Sequence, residues 1–195
     1  MNISDDVEMQ HGNEVDLKQK GLENFILLVL GMSDRKLSLL HLEKEVFLLW
    51  NFHKKIKPYL KFIKHYRGPF SKEIQETVLN PMYLEGHWNY VSSRDRISGG
   101  YVQLTQKGKQ EYKRLVEKLQ DNEDMLHLLA GIKMVRELYD KLSLEELLLL
   151  IYDTYPDYTE RSEVWKDIKK KKSQLAISLK RKGVASDERY LSLVH

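Results

Sequence analysis

Cysteine is absent from this chain of 195 residues. Its absence excludes structural disulfides, thiolate catalysis, iron–sulfur clusters and zinc sites built on cysteine. Proteins without cysteine are common in reducing compartments, so we expect a cytoplasmic location.

Long apolar runs are missing as well. The longest lie near residues 25–30 and 147–152, and both are far shorter than the roughly 20 residues that span a bilayer. Residues 1–20 lack the apolar stretch behind basic residues that marks a signal peptide. We therefore expect no membrane partner.

Sequence motifs of the common enzyme classes are also lacking. There is no Gly-x-Ser-x-Gly elbow, and residues 98–101 have neither the lysine nor the following helix of a phosphate-binding loop. His41 and Glu45 stand four residues apart on one helix face, but no second pair completes a set of metal ligands. We expect a protein that is not an enzyme and that holds neither a metal nor a cofactor.

The overall composition is that of an ordinary globular protein. Hydrophobic residues make up 42% of the chain and charged residues 31%, which is enough to build a core without disulfides or metals. The formal net charge of +3 neither requires nor forbids nucleic acid. The case for nucleic-acid binding therefore depends on how the charges are distributed along the chain more than on their total.

Helical periodicity dominates the first third of the chain. Apolar residues recur at helical spacing over residues 22–30 and 39–50, which predicts a helix that ends at Gly31 and a second one capped by Ser38. We expect Glu43 and Lys44 on the solvent side of the second helix. Residues 59–66 are aromatic and partly alternating, which favours a short extended segment.

Glycine, proline and helix-capping residues mark the element boundaries in the middle of the chain. The Gly-Pro step in residues 68–71 breaks regular structure, and Ser71 begins a helix from Lys72 to about Leu84, with a kink or break near Asn80 because proline follows. Residues 87–92 and 100–104 flank a polar loop and predict a β-hairpin. Another helix, capped by Thr105, comes next.

This order of elements predicts the fold class. We expect a mainly α (α+β) protein with a winged helix-turn-helix-like module, a β-hairpin wing and a C-terminal helical extension. A generic α+β bundle is the alternative. Residues 1–20 are predicted to be a flexible N-terminal arm, residues 21–122 the winged-helix-like domain, and residues 123–195 the helical extension packed on it.

Three segments carry a resemblance to a known family. They are the apolar, lysine-containing Leu42–Leu49, the turn Tyr66–Ser71 and the leucine-rich Leu147–Pro156, followed by Ser162. Together they resemble the SocA-like Panacea-domain proteins and their small relatives over about residues 37–165. Arg67, between the tyrosine and the glycine of the turn, departs from the family pattern. The resemblance implies a winged-helix-like fold and a non-catalytic role as an antitoxin, adaptor or regulator.

Basic residues suggest where nucleic acid would bind. Lysines gain affinity for phosphates by releasing counterions, and the aromatics interleaved in residues 53–67 can stack on bases. The candidate nucleic-acid-binding residues are Lys54, Lys55, Lys57, Lys64, Arg67, Lys72, Gln75, Arg94 and Arg96. Glu73 and Glu76 in the predicted recognition helix, and Asp95 in the wing, oppose this hypothesis. A solvated basic face is the alternative, also for the second basic run at residues 166–182.

The leading hypothesis is a non-catalytic winged-helix protein that binds DNA and takes part in transcription regulation. The alternative is a protein-binding adaptor or antitoxin-like module with no DNA contact, in which Tyr66, Pro69 and Phe70 form the partner surface. Either hypothesis is compatible with a homodimer.

Overall fold

The computed structural model describes residues 3–93 and 98–194, with side chains from residue 15 onward. Over these residues the chain is mainly helical, with small antiparallel sheets. The helices are α1 (Ile3–Gly31), α2 (Leu39–Phe52), α3 (Lys72–Leu79), α4 (Gln106–Leu119), α5 (Glu123–Tyr139), α6 (Leu144–Thr154), α7 (Trp165–Lys170), α8 (Lys172–Arg181) and α9 (Asp187–Val194). The strands are β1 (Leu37–Ser38), β2 (Ile63–His65), β3 (Gly68–Phe70), β4 (Trp88–Val91) and β5 (Tyr101–Leu104). None of the described helices is both long and apolar enough to cross a membrane.

Helix α1 begins at Ile3, so residues 3–20 of the segment predicted to be an N-terminal arm form the first part of a helix. The polar residues of this segment include many good helix formers. Adding residues to a helix costs little free energy once its buried end has formed. The buried end comprises Leu22 to Leu30, and the helix stops at Gly31 as predicted.

A buried glutamate of α1 shapes the chain after α3. Glu23 is fully buried, and its carboxylate accepts hydrogen bonds from the backbone N–H groups of residues 82–84 at 2.7 to 2.9 Å. Helix α3 ends at Leu79, with Asn80 as its C-cap, so the predicted break before Pro81 is confirmed. Residues 82–84 are therefore held by α1 rather than by a longer α3.

The larger sheet has the strand order β1-β5-β4, and both pairings are antiparallel. Trp88 lies opposite Leu104 and Val91 opposite Tyr101, which confirms the predicted β-hairpin. Helices α2 and α3 lie between β1 and β4 in the sequence. The tip of the hairpin loop, residues 94–97, lies outside the described residues.

Two apolar clusters form the interior. The first surrounds α1 and includes side chains of α2, α3, the larger sheet, α4 and α5, and the second surrounds α6. Leu128, Ile132 and Val135 of α5 belong to the first cluster. The packing therefore changes at the end of α5, within the segment 123–195 that the sequence predicts to be the helical extension.

Helix α2 lies between the two clusters. It packs against α5 on one side and α6 on another, and Glu43 and Lys44 are each only 1% exposed. The prediction that these two residues face solvent is therefore wrong. Their polar character agreed with a surface position, but α2 is packed against several other elements and both side chains are buried.

Candidate functional site

The lysines that follow α2 differ in their surroundings. Lys55 forms an ion pair with Asp124, and Lys64 forms one with Glu160 at 2.8 Å. The hydrogen bond from Lys55 lowers the pKa of Asp124, and the hydrogen bond to Glu160 raises the pKa of Lys64. Two of the predicted phosphate-binding lysines are thus already compensated by carboxylates.

Lys54 and Lys57 remain available. Both are exposed, and neither has a carboxylate within ion-pair distance among residues 3–93 and 98–194. Lys57 Nζ lies 5.4 Å from the centroid of the Trp50 ring, a cation–π contact that leaves the charge uncompensated. These two side chains are the cationic surface at the C-terminal end of α2.

The exposed face of α3 is largely self-compensated. Lys72 Nζ lies 3.1 Å from Glu76 Oε1, and Ser71 Oγ donates a hydrogen bond to Glu73 Oε2 at 2.8 Å. Gln75 is half-buried. Helix α3 therefore offers little net positive charge.

The base of the β4–β5 loop is fixed on the start of α2. The backbone N–H groups of Leu39 and Leu40 donate to the carbonyl oxygens of Gly100 and Ser98. Arg94 and Arg96, the predicted wing contacts, lie in the part of the loop outside the described residues. Since the 14-residue α2 is about 20 Å long, the loop base and Lys54 are separated by roughly that length.

The hairpin of β2 and β3 contains the residues predicted to bind a partner protein. Tyr66 is 43% exposed, whereas Pro69 is buried and Phe70 is half-buried against the His65 ring, 4.8 Å away between centroids. Strand β3 packs against α2 and the 3-10 turn Pro156–Thr159. The prediction that Pro69 lines a partner surface is therefore wrong.

The three segments of the family resemblance meet at Gly68. A Cβ atom built on this glycine would lie 2.7 Å from Leu148 Cδ2, 3.1 Å from Tyr152 Oη and 3.5 Å from Lys44 Cε. The Tyr152 hydroxyl is in turn 2.7 Å from Ser162 Oγ. The motif residues are thus neighbours in the interior and not a surface constellation.

Lys44 and Glu43 form a buried pair at this point. Lys44 Nζ donates to Glu43 Oε2 at 3.1 Å. Burial raises the pKa of the Glu43 carboxyl and lowers the pKa of the Lys44 ammonium, while each opposite charge counteracts that shift. Because both side chains are 1% exposed, this pair cannot meet a macromolecule directly.

A second buried network joins α2 to α5. Arg136 Nη1 donates to Glu45 Oε2 at 2.8 Å, and Arg136 Nη2 lies 3.3 Å from Asp140 Oδ1. His41 Nε2 is 3.4 Å from Glu45 Oε1 and 3.2 Å from the Tyr139 carbonyl oxygen. Sequence reasoning missed Arg136, although its place one turn after Ile132 on the apolar face of α5 was the available signal.

The pair of His41 and Glu45 does not form a metal site. The Glu45 carboxylate is engaged by Arg136, and in the described part of the chain no group of three or more histidine and carboxylate side chains could hold a metal ion.

The second basic run mainly connects helices. Lys171 pairs with Glu145, and Lys182 pairs with Glu146, which joins α8 and the residues beside it to α6. Lys180 pairs with Asp187 of α9. These lysines support packing of the C-terminal helices and add little free positive surface.

No protein-family model and no curated protein matches the chain. The resemblance to the Panacea-domain proteins therefore stays a prediction.

Proposed function

We propose that this chain is a non-catalytic winged-helix regulatory protein that binds duplex DNA. The observation that carries the proposal is the strand order β1-β5-β4 of the larger sheet. Helices α2 and α3 lie between β1 and β4 in the sequence. We take this order as that of a winged-helix module in which α3 is the recognition helix and the β4–β5 loop is the wing. The β2–β3 hairpin then stands between α2 and α3, where a helix-turn-helix has a short turn.

The distribution of charge favours contacts to the DNA backbone. Lys54 and Lys57 provide exposed, uncompensated cations at one end of α2, and Ser98 and Gly100 at the base of the proposed wing are bound to the other end. A separation of about 20 Å lies within one turn of duplex, about 34 Å. The carboxylates of Glu73 and Glu76 make α3 a poor reader of the major groove, so we propose binding of low sequence specificity.

Fluorescence anisotropy with a mixed-sequence duplex tests this proposal. We compare Lys54→Gln/Lys57→Gln and Arg94→Gln/Arg96→Gln with a matched control, Lys166→Gln/Arg181→Gln, which removes two exposed charges elsewhere. Each test variant should bind about tenfold more weakly at about 100 mM salt and should lower the slope of log K against log salt by about 2. The control should stay within about twofold of the wild type.

Two results would reject DNA binding. One is the absence of any complex at about 50 mM salt, where non-specific binding is strong. The other is an equal loss of affinity in the test variants and in the control.

A protein-binding adaptor is the second candidate, and the exposed side of the β2–β3 hairpin favours it. Ile63 is 56% exposed and Tyr66 43% exposed, on a hairpin whose neighbouring Lys64 is already paired. Exposed apolar side chains close together are typical of protein-binding surfaces. A stoichiometric partner that co-purifies with the wild type should be lost in Ile63→Ser/Tyr66→Ser and retained in Leu191→Ser, a similarly exposed control.

A further inference from the structure

A polar cleft of about 500 Å³ lies beside the His41–Glu45 network. It is formed by β1 and the loop before it, the first turn of α2, the start of β5 and the link between α5 and α6. The side chains that matter for its chemistry are Arg35, Lys36, His41, Tyr101, Asp140 and Lys141.

We propose that this cleft binds a small organic anion through its phosphate or carboxylate group. Of the described residues that line the cleft, Arg35, Lys36 and Lys141 are cationic, and Asp140 is a carboxylate. Guanidinium and ammonium groups form charge-assisted hydrogen bonds with oxyanions. The volume of the cleft falls within the range of small-molecule sites, roughly 300 to 1,000 Å³.

Asp140, the carboxylate among the described lining residues, contacts two residues that do not line the cleft. Arg136 Nη2 lies 3.3 Å from Asp140 Oδ1, and Ser33 Oγ donates to Oδ2 at 3.3 Å. Arg136 shares its single positive charge between Asp140 and Glu45, so Asp140 keeps part of its negative charge. Even with Asp140 counted in full, the three cations of the described lining leave a net charge of +2.

The rim cations remain free to bind an anion. Arg35 Nη1 makes only a long contact of 3.9 Å to Asp140, and its side chain is 70% exposed. Lys36 Nζ lies 4.7 Å from the centroid of the Tyr101 ring, which places the ammonium group at the cleft. A cation–π contact orients this charge without neutralising it.

His41 adds a polar ring to the lining of the cleft. Its Nε2 lies 3.2 Å from the Tyr139 carbonyl oxygen and 3.4 Å from Glu45 Oε1. The cleft of about 500 Å³ is larger than an inorganic phosphate needs, which favours an organic anion over an inorganic one.

Isothermal titration with three probes tests the site: ribose 5-phosphate, inorganic phosphate and citrate. We expect ribose 5-phosphate to bind more tightly than inorganic phosphate, because it adds hydroxyl contacts. If citrate binds more tightly than ribose 5-phosphate, the ligand class is a carboxylate. A protein that binds none of the three at millimolar concentration overturns the proposal.

The variants Arg35→Gln and Lys36→Gln locate the site. Both residues lie at the rim, and each substitution should weaken binding of the tightest probe by about tenfold through the loss of one charge-assisted contact. Lys166→Gln, an exposed lysine outside the cleft, should change the affinity by less than about twofold. Equal losses in all three variants would mean that only net charge attracts the probe, and would overturn the site.

A measurement on the wild type makes the test independent of variant folding. On addition of ribose 5-phosphate, amide resonances of Ser38, His41 and Tyr101 should shift, whereas those of α8 should not. Shifts confined to other parts of the chain would refute the assignment. Neither experiment involves DNA, so a failure of the proposed anion site can be distinguished from a failure of the proposed function.

Discussion

Buried charged side chains are the residues on which this protein depends most directly. Glu23, Glu45 and Arg136 are at most 2% exposed. A buried charge is costly unless hydrogen bonds or an opposite charge compensate it. Glu23 has three backbone donors and Glu45 has Arg136, so their neighbours in space, and not those in the sequence, make them tolerable.

Gly68 is a single residue at which a substitution should strongly destabilise the protein. Its φ of +89° is a conformation that costs an L residue about 1–2 kcal/mol, and a Cβ would press on Leu148 Cδ2 at 2.7 Å. We expect Gly68→Ala to lower the free energy of unfolding by about 3 kcal/mol, measured by urea denaturation.

Gly86 is the matched control for Gly68. Its φ is +74°, but a Cβ there would meet nothing within 4 Å. Gly86→Ala should therefore cost only the backbone part, about 1 kcal/mol. Equal losses in the two variants would show that close packing around Gly68 contributes nothing.

At the scale of elements, α2 is the helix on which both halves of the chain are assembled. Its side chains enter both apolar clusters, and Phe47 packs edge-on against Phe62, Tyr155 and Tyr158 at 4.8 to 5.2 Å between centroids. Because α2 packs against both α5 and α6, its buried charged residues are compensated by opposite charges inside the protein.

The docking of α5 on α2 can be tested by a double-mutant cycle on Arg136 and Glu45. Arg136→Met should destabilise the protein by about 3–5 kcal/mol, because it leaves the Glu45 carboxylate buried without its counter-charge. Arg136→Met/Glu45→Gln should lose less than the sum of the single variants, with a coupling of about 2 kcal/mol.

The exposed pair of Lys72 and Glu76 is the control cycle. Its two side chains are 75% and 59% exposed, so solvent screens the interaction. The coupling measured with Lys72→Met and Glu76→Gln should be below about 0.5 kcal/mol. A coupling as small for Arg136 and Glu45 would contradict the role assigned to the buried pair.

At the scale of the whole molecule, buried tyrosines link stability to alkaline pH. Burial raises the pKa of Tyr152 to about 12 and also raises the pKa of Tyr139 and Tyr158. Above pH 10 an unfolded tyrosine loses its proton while folded Tyr152 keeps it, so the unfolded state gains free energy of ionisation. Stability is therefore fully present below pH 10 and declines as the pH rises toward 12.

This linkage predicts the behaviour of Tyr152→Phe. Of the stability that the wild type loses between pH 10 and 12, Tyr152 should account for ~2 kcal/mol. The variant starts lower, because it lacks the hydrogen bond to Ser162, but its loss over this range should be smaller. Urea denaturation across the pH range measures both curves, with Tyr66→Phe as an exposed control. Parallel curves for Tyr152→Phe and the wild type would contradict the assignment.

Local structure was predictable because its causes are local. Ser38 and Thr105 accept hydrogen bonds from backbone N–H groups three residues ahead, and Ser143 forms the capping box with Glu146, so each helix start could be inferred from a few adjacent letters. The β4–β5 hairpin and the break near Asn80 were predictable for the same reason.

The sequence does not specify which face of each helix or strand is covered by another element. Tertiary packing decided this. It buried Pro69 in a strand that packs on α2, brought α5 into the first apolar cluster, and buried Glu43 and Lys44 on a helix that packs against α5 and α6. The anion cleft likewise combines Arg35 and Asp140 from distant parts of the chain. Charge and polarity are properties of single residues, but burial depends on partners far away in the sequence, and so it emerges only when the helices assemble.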